Sequence, residues 1–142
     1  MLVCTVVHHP TDARIFRRQI EALLEAGHEV AVIAPWSGAP KTTFEAFPVP
    51  RAKGLHRFAA WRAARSRIRE LATRHETLII HDPELLLVIP WRELRRRRVR
   101  VVWDVHEDLA AALEMKSYLP AIVRGILVPC VRLIERWAEL EA

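Results

Sequence analysis

The sequence predicts an α/β domain, a Rossmann-like open parallel sheet with helices on both faces. Three observations lead there. Short β-branched runs alternate with longer stretches of helical periodicity, the pattern of a parallel sheet with crossover helices. The first strand, helix, glycine and second strand follow so closely that only a right-handed crossover fits between them. Polar, chemically capable residues follow apolar runs three times: His8, His9, Asp12 and Arg14 after Leu2–Val7; His81, Asp82 and Glu84 after Leu78–Ile80; Asp104, His106 and Glu107 after Val99–Trp103. In an open parallel sheet the carboxyl ends of the strands share one edge, where ligands bind. Four of the seven histidines fall in these clusters.

Leu2–Val7 is nearly all apolar and reads as a buried strand. A helix is expected over Ala13–Ala26, its apolar stripe formed by Phe16, Ile20, Leu23 and Leu24 and its end marked by Gly27 as a left-handed cap. The second strand is expected at Glu29–Ala34, followed by a loop through Pro35–Pro40. A weaker strand covers Phe44–Val49. A long helix runs over His56–Arg74, with Phe58, Trp61, Ala64, Ile68 and Leu71 on one side and Arg62, Arg65 and Arg69 on the other. The fourth strand is Thr77–Ile80. Asp82-Pro83-Glu84 then looks like a helix start: cap residue, proline at the first position, early acid. Pro90 should kink or restart that helix, which ends in Arg95–Arg98, suited to the negative end of a helix dipole. The fifth strand is Val99–Trp103. A short helix near Leu109–Met115 and an amphipathic one from about Ala121 complete the expected elements. The last helix runs into the chain end without a stop signal, so residues 1–142 are expected to form one domain cut within something larger.

Bulk properties narrow the class. The length suits a single domain, and 51% apolar with 27% charged residues reads as globular. No apolar run is long enough to span a bilayer, and Met1-Leu2-Val3 lacks the basic start of a signal peptide. Cys4 and Cys130 show no metal spacing and suit buried thiols in a reducing, cytoplasmic compartment. The net charge of +5 comes mostly from arginine, which matches phosphates by paired hydrogen bonds.

The site residues each have an ordinary duty to weigh. Asp12 can cap the first helix, and Asp82 can cap the one after the fourth strand. Arg14 has no such task and suits an anion near a helix start. One of His8 and His9 should face the crevice and the other support it, with His9 taken as the contact residue. His81 closes a strand, where a neutral imidazole can bond a hydroxyl-rich ligand. Asp104, His106 and Glu107 form a polar trio after a buried strand with no packing rationale. The chain has no Gly-flanked serine elbow, no cysteine with a neighbouring histidine, no dinucleotide-binding glycine loop and no P-loop. A metal site from His8, His9, Asp82 and His106 is an alternative that matches no ligand motif, and no metal is expected.

Several of these stretches resemble family-4-type glycosyltransferases. They are His9-Pro10-Thr11-Asp12-Ala13-Arg14-Ile15-Phe16, Glu21-Ala22-Leu23 with Ala26-Gly27-His28-Glu29-Val30, His81-Asp82-Pro83-Glu84-Leu85 and Trp103-Asp104-Val105-His106-Glu107. The resemblance implies the amino-terminal, acceptor-side half of a GT-B enzyme, with a nucleotide-sugar-binding domain facing it that this chain lacks. It implies transfer of a sugar, a hexosyl group with retention, from a nucleotide sugar to a sugar or lipid-linked hydroxyl acceptor, with no further cofactor. By the same resemblance His106 lies near the transferred sugar as the catalytic residue. His9, Asp12, Arg14, His81, Asp82, Asp104 and Glu107 are the expected substrate contacts. Where many relatives carry paired glycines after the first strand, this chain has His8-His9-Pro10-Thr11-Asp12, a departure from a backbone-mediated diphosphate contact.

The expected setting is cell-envelope polysaccharide synthesis, in the cytoplasm or peripherally at the inner face of the cell membrane, with the isolated chain inactive. A competing reading is a basic module that docks on membrane or binds a ligand without catalysis, motivated by the arginine-lined helix His56–Arg74 with Phe58 and Trp61, and by Arg95–Arg98. Nucleic acid is not an expected partner, because aromatic interleaving and a recognised motif are both missing.

Overall fold

The computed structural model describes residues 1–9, 12–37, 42–105 and 136. Five parallel strands form the sheet: β1 (Leu2–Cys4), β2 (Ala31–Ala34), β3 (Glu45–Pro48), β4 (Thr77–Ile80) and β5 (Arg100–Trp103). Their order is β3-β2-β1-β4-β5. The chain builds outward from β1 through β2 to β3, then returns to add β4 on the other side. The topological switch point therefore lies between β1 and β4, where open α/β sheets bind ligands.

Strict alternation divides the core. Leu2 and Cys4 pair with Ala31 and Ile33 on one side and with Leu78 and Ile80 on the other, and all six face one cluster. Val3, Val32 and Ile79 occupy the intervening positions and face the opposite cluster. A long helix, α2 (Arg57–Leu71), fills the first layer with Ala60, Ala64, Ile68 and Leu71, helped by Leu94 of α3 (Trp91–Arg96). The second layer is filled by Ile15 and Ile20 from the helix after β1. A strand apolar on both faces can only be a covered strand, and helices on both faces meet that need.

The helix after β1 departs from the expected α-helix over Ala13–Ala26. Arg14–Gln19 is π-helical, and only Ile20–Glu25, α1, is α-helical. The Ile20 N–H reaches the Ile15 carbonyl, five residues back. Residues five apart sit on different faces of an α-helix; the π-turn stacks Ile15 and Ile20 on one face, and both are fully buried. The expected stripe stands: Ile20 is in the core, and Phe16, Leu23 and Leu24 pack partly buried against it, Phe16 also meeting Trp36 with ring centroids 5.2 Å apart.

At the C-terminal end His28 N–H bonds the Leu23 carbonyl at 3.0 Å around Gly27, whose φ is +82°. A Cβ at Gly27 would meet nothing within 4 Å. Gly27→Ala should therefore cost only the left-handed backbone strain, about 1 kcal/mol, read as a lowered midpoint in denaturant at unchanged slope.

β4 and the restart at Pro90 coincide with the sequence expectation. The expected helix over His56–Arg74 is a 3-10 turn at Gly54–His56 followed by α2. Phe58, placed in its core stripe, is 69% exposed, because Ala60 rather than Phe58 faces the sheet. Asp82-Pro83-Glu84 opens a 3-10 helix, Pro83–Leu87, before α3. The loop residues from Gly38 to Pro40, the helices expected near Leu109–Met115 and from Ala121, and Cys130 lie outside the described residues.

Candidate functional site

β1 ends at Cys4 because the chain beyond it folds around a carboxylate from the neighbouring strand. Asp82, at the end of β4, is 2% exposed. Its Oδ2 accepts hydrogen bonds from the backbone N–H of Val6, from that of Val7 at 3.3 Å and from the Thr5 hydroxyl at 3.0 Å. Thr5 Oγ1 in turn accepts from the His8 N–H at 3.1 Å. The expected capping role is thereby corrected: Asp82 precedes the 3-10 helix, but its carboxylate makes no cap hydrogen bond. Buried amide hydrogens across the switch point are unsatisfied without it, whereas the 3-10 helix starts with a proline that offers no N–H.

His8 bridges two carboxylates. Its Nδ1 lies 3.1 Å from Asp12 Oδ2 and its Nε2 lies 3.5 Å from Asp82 Oδ1. The imidazole between the carboxylates thus belongs to His8 rather than His9, which is exposed and contributes its carbonyl oxygen to the Asp12 N–H at 2.9 Å. Asp12 also accepts from the Arg14 N–H at 3.0 Å, so it does hold the turn that starts the helix. The Arg14 guanidinium, expected to have no local duty, lies 3.9 Å from the same carboxylate at the exposed rim.

β5 supplies the third contribution. Asp104 follows it and keeps the ladder going by donating its N–H to the Ile80 carbonyl at 2.9 Å. Its Oδ2 accepts from Gln19 Nε2 at 2.9 Å and lies 3.4 Å from His81 Nδ1. The His81 ring is fully buried and meets His8 edge-on, centroids 6.5 Å apart. The edge therefore carries two linked groups, Asp12–His8–Asp82–Thr5 and Gln19–Asp104–His81. The ends of β1, β4 and β5 share one crevice.

Thr5 and Gln19 were missed by sequence reasoning. A threonine inside an apolar run reads as strand filler. A glutamine in the middle of a helix reads as a solvated face. Only the π-turn, the last residue of which is Gln19, brings that side chain across to Asp104; such turns recur at functional sites. The Gln19 Oε1 atom is buried with no hydrogen-bond partner among the described residues. His106 and Glu107 lie outside the described residues, two and three positions beyond Asp104.

The environment divides the acids. Burial pushes the Asp82 carboxyl above its ordinary value, against the pull of the Val6 and Val7 N–H groups, the Thr5 hydroxyl and His8. Burial pushes Asp12 up as well, but hydrogen bonds from Arg14 and Ile15 N–H and from His8 outweigh it, and the carboxyl titrates below its ordinary value. Burial, with Asp82 nearby, pushes the Cys4 thiol well up, which makes it a poor nucleophile. Among the described residues no three His, Cys, Asp or Glu side chains are arranged to hold a metal ion.

An all-parallel sheet covered on both faces, with a polar crevice at its switch point, places the chain in the Rossmann-like class of α/β domains. The family model described as Glycosyltransferase Family 4 matches residues 13–141, and the chain belongs to that family. The matched span includes Gln19, His81, Asp82, Asp104 and His106; β1, His8 and Asp12 precede it. No curated protein and no solved structure matches the chain.

Proposed function

We propose that this domain is the acceptor-side half of a transferase that moves a sugar, with retention, from a nucleotide sugar to a hydroxyl of a sugar or lipid-linked acceptor. The observation that carries the reading is the crevice's sign. The chain as a whole is basic, with a net charge of +5, yet Asp12, Asp82 and Asp104 meet at this edge. A carboxylate-rich crevice disfavours a phosphate. It favours hydroxyl groups that donate hydrogen bonds, and a reacting centre that gains positive charge.

Accessibility assigns the roles. Asp12, His8 and Asp104 are 25%, 27% and 31% exposed and can touch a ligand. His81 and Asp82 are 0% and 2% exposed and position the others. Asp12 and Asp104 accept bonds from acceptor hydroxyls. Gln19, whose amide holds Asp104, positions that carboxylate, and Arg14 meets a phosphate of the donor at the rim. His106 bonds the transferred sugar, with Glu107 beside it. Carboxylates aimed at the crevice stabilise an oxocarbenium-like sugar as it forms, and the departing diphosphate is held by a facing donor-binding half.

The test is release of nucleotide from a panel of nucleotide sugars, with this chain continued by a donor-binding half. Turnover is expected there and none from the 142-residue chain alone. His106→Ala in the longer protein should lower turnover by at least about tenfold. Turnover by the chain alone, or full activity of the alanine variant, overturns the assignment.

A further inference from the structure

We propose that the outer face at the start of α2, built on Lys53, Leu55, Phe58 and Arg62, docks on the surface of an anionic lipid bilayer. The inference does not rest on the transferase reading. From Ala46 to Arg69 the chain has no acidic residue and seven lysines and arginines. Some of these are committed within the fold: Arg57 to Glu84 at 2.9 Å, Arg69 to Glu93 at 2.7 Å, and Arg65 to the Val88 carbonyl. Lys53 and Arg62 are exposed and have no ion pair among the described residues.

Large apolar groups stand among these cations. Leu55 is 89% exposed and Phe58 69%. Phe58 rests edge-on against Trp61, centroids 5.4 Å apart, and Trp61 is fixed by donating to Glu84 at 2.9 Å. The Phe58 ring is thereby held outward instead of folding onto the helix. A shallow groove lined by Phe58, Ala59, Arg62, Ala63 and Ser66 runs beside it. Exposed aromatic and aliphatic side chains beside Lys53 and Arg62, cations unpaired among the described residues, with the nearby Glu84 already neutralised by Arg57, match the boundary between anionic headgroups and acyl chains. No helix among the described residues is long and apolar enough to cross a membrane, so the contact is a surface one.

The patch also has a defined place relative to the crevice. Ala52 N–H bonds the Val6 carbonyl at 2.8 Å, and Arg51 Nε bonds the Val7 carbonyl at 3.1 Å. The segment that leads into α2 is thus tied to the loop that carries His8. Docking through this face sets the carboxylate crevice close to the bilayer.

The experiment is sedimentation of the whole chain with vesicles of phosphatidylglycerol in phosphatidylcholine and with phosphatidylcholine alone, at low and at high salt. Binding to the anionic vesicles alone, weakened by salt, is expected. Each lost charge is worth about fivefold in partitioning, so Lys53→Glu with Arg62→Glu should lower it by well over about tenfold. Phe58→Ser should lower it several-fold at high and low salt alike, because it removes apolar insertion. Both variants change exposed side chains, and a wild-type circular dichroism spectrum checks their fold. Should the double variant lose that spectrum, Phe58→Ser decides alone. Equal binding to neutral vesicles, no binding at low salt, or indifference to Phe58→Ser overturns the proposal. So does displacement from vesicles by an oligonucleotide that binds the Phe58→Ser variant as tightly as the wild type, since that marks a nucleic-acid face.

Discussion

Asp82→Ala is expected to lower the stability of the domain by about 3 kcal/mol, measured by chemical denaturation. The carboxylate is nearly inaccessible and is the acceptor for Val6 N–H, Val7 N–H and the Thr5 hydroxyl. Truncation leaves buried donors without a partner, at about 1–3 kcal/mol for each group stranded. It also frees the loop that holds His8, so the loss is not confined to contacts of one side chain. Asp82→Asn keeps the shape and one oxygen and should cost less, about 1 kcal/mol. The comparison with Asn should depend on pH. Burial raises the Asp82 carboxyl above its ordinary 3.8, so the folded chain holds that proton more tightly than the unfolded chain. The stability this contributes is complete below 3.8 and is lost as pH rises through the raised value. Wild type should therefore gain on Asp82→Asn toward acid. Asp12 acts in the opposite sense: its carboxyl is lowered, so its contribution is present above its ordinary value and lost as pH falls through the lowered one. A stability difference that is flat with pH, or an alanine variant as stable as wild type, would show that the carboxylate does not organise the switch point.

What could be read from the chain alone divides along one physical line. Features settled by local chemistry were legible. β4 stands as expected because an apolar, β-branched run is bounded by polar residues. Gly27 ends the first helix because only glycine takes a φ of +82° without strain. Pro90 starts α3 because it lacks an N–H to continue a helix.

Features settled by a distant partner were not legible. His81-Asp82-Pro83-Glu84 has every local mark of a cap, yet the amide hydrogens that win Asp82 come from Val6 and Val7, more than seventy residues earlier. Phe58 has the right spacing for the core stripe, and Ala64, Ile68 and Leu71 of that stripe are buried, but Ala60 takes the sheet-facing place at the start of α2 and Phe58 stacks edge-on against the outer side of Trp61. The π-turn escapes a template of α-helical period, and with it went Gln19. Between adjacent His8 and His9 no sequence rule chooses. The turn that closes on Asp12 makes the choice, through the His9 carbonyl and the His8 ring. That the three clusters share an edge was foreseeable from sheet topology; which atoms meet there was not.

Asp104→Ala should separate function from folding in the opposite way. Asp104 is about a third exposed and water can replace part of what it offers, so its loss should cost about 1 kcal/mol, well below Asp82→Ala. Its carboxylate nonetheless holds two groups of the crevice at once, the Gln19 amide at 2.9 Å and the His81 ring at 3.4 Å. It also follows β5 directly and stands two residues before His106. In the protein continued by a donor-binding half, a misplacement of about 1 Å in such a cluster costs on the order of 10²-fold in rate. Nucleotide release should fall by about that factor, mainly in kcat if Asp104 aligns the reacting groups and mainly as a raised KM if it grips only the acceptor. Asp104→Asn retains an oxygen for the Gln19 amide but withdraws the negative charge. It should recover activity if alignment is the whole role, and stay near the alanine value if charge on the developing oxocarbenium matters. Gln19→Ala supplies the control, since it breaks the alignment while leaving the charge in place. Full activity in both Asp104→Ala and Gln19→Ala would mean that the crevice between β1, β4 and β5 is not where the sugar is transferred.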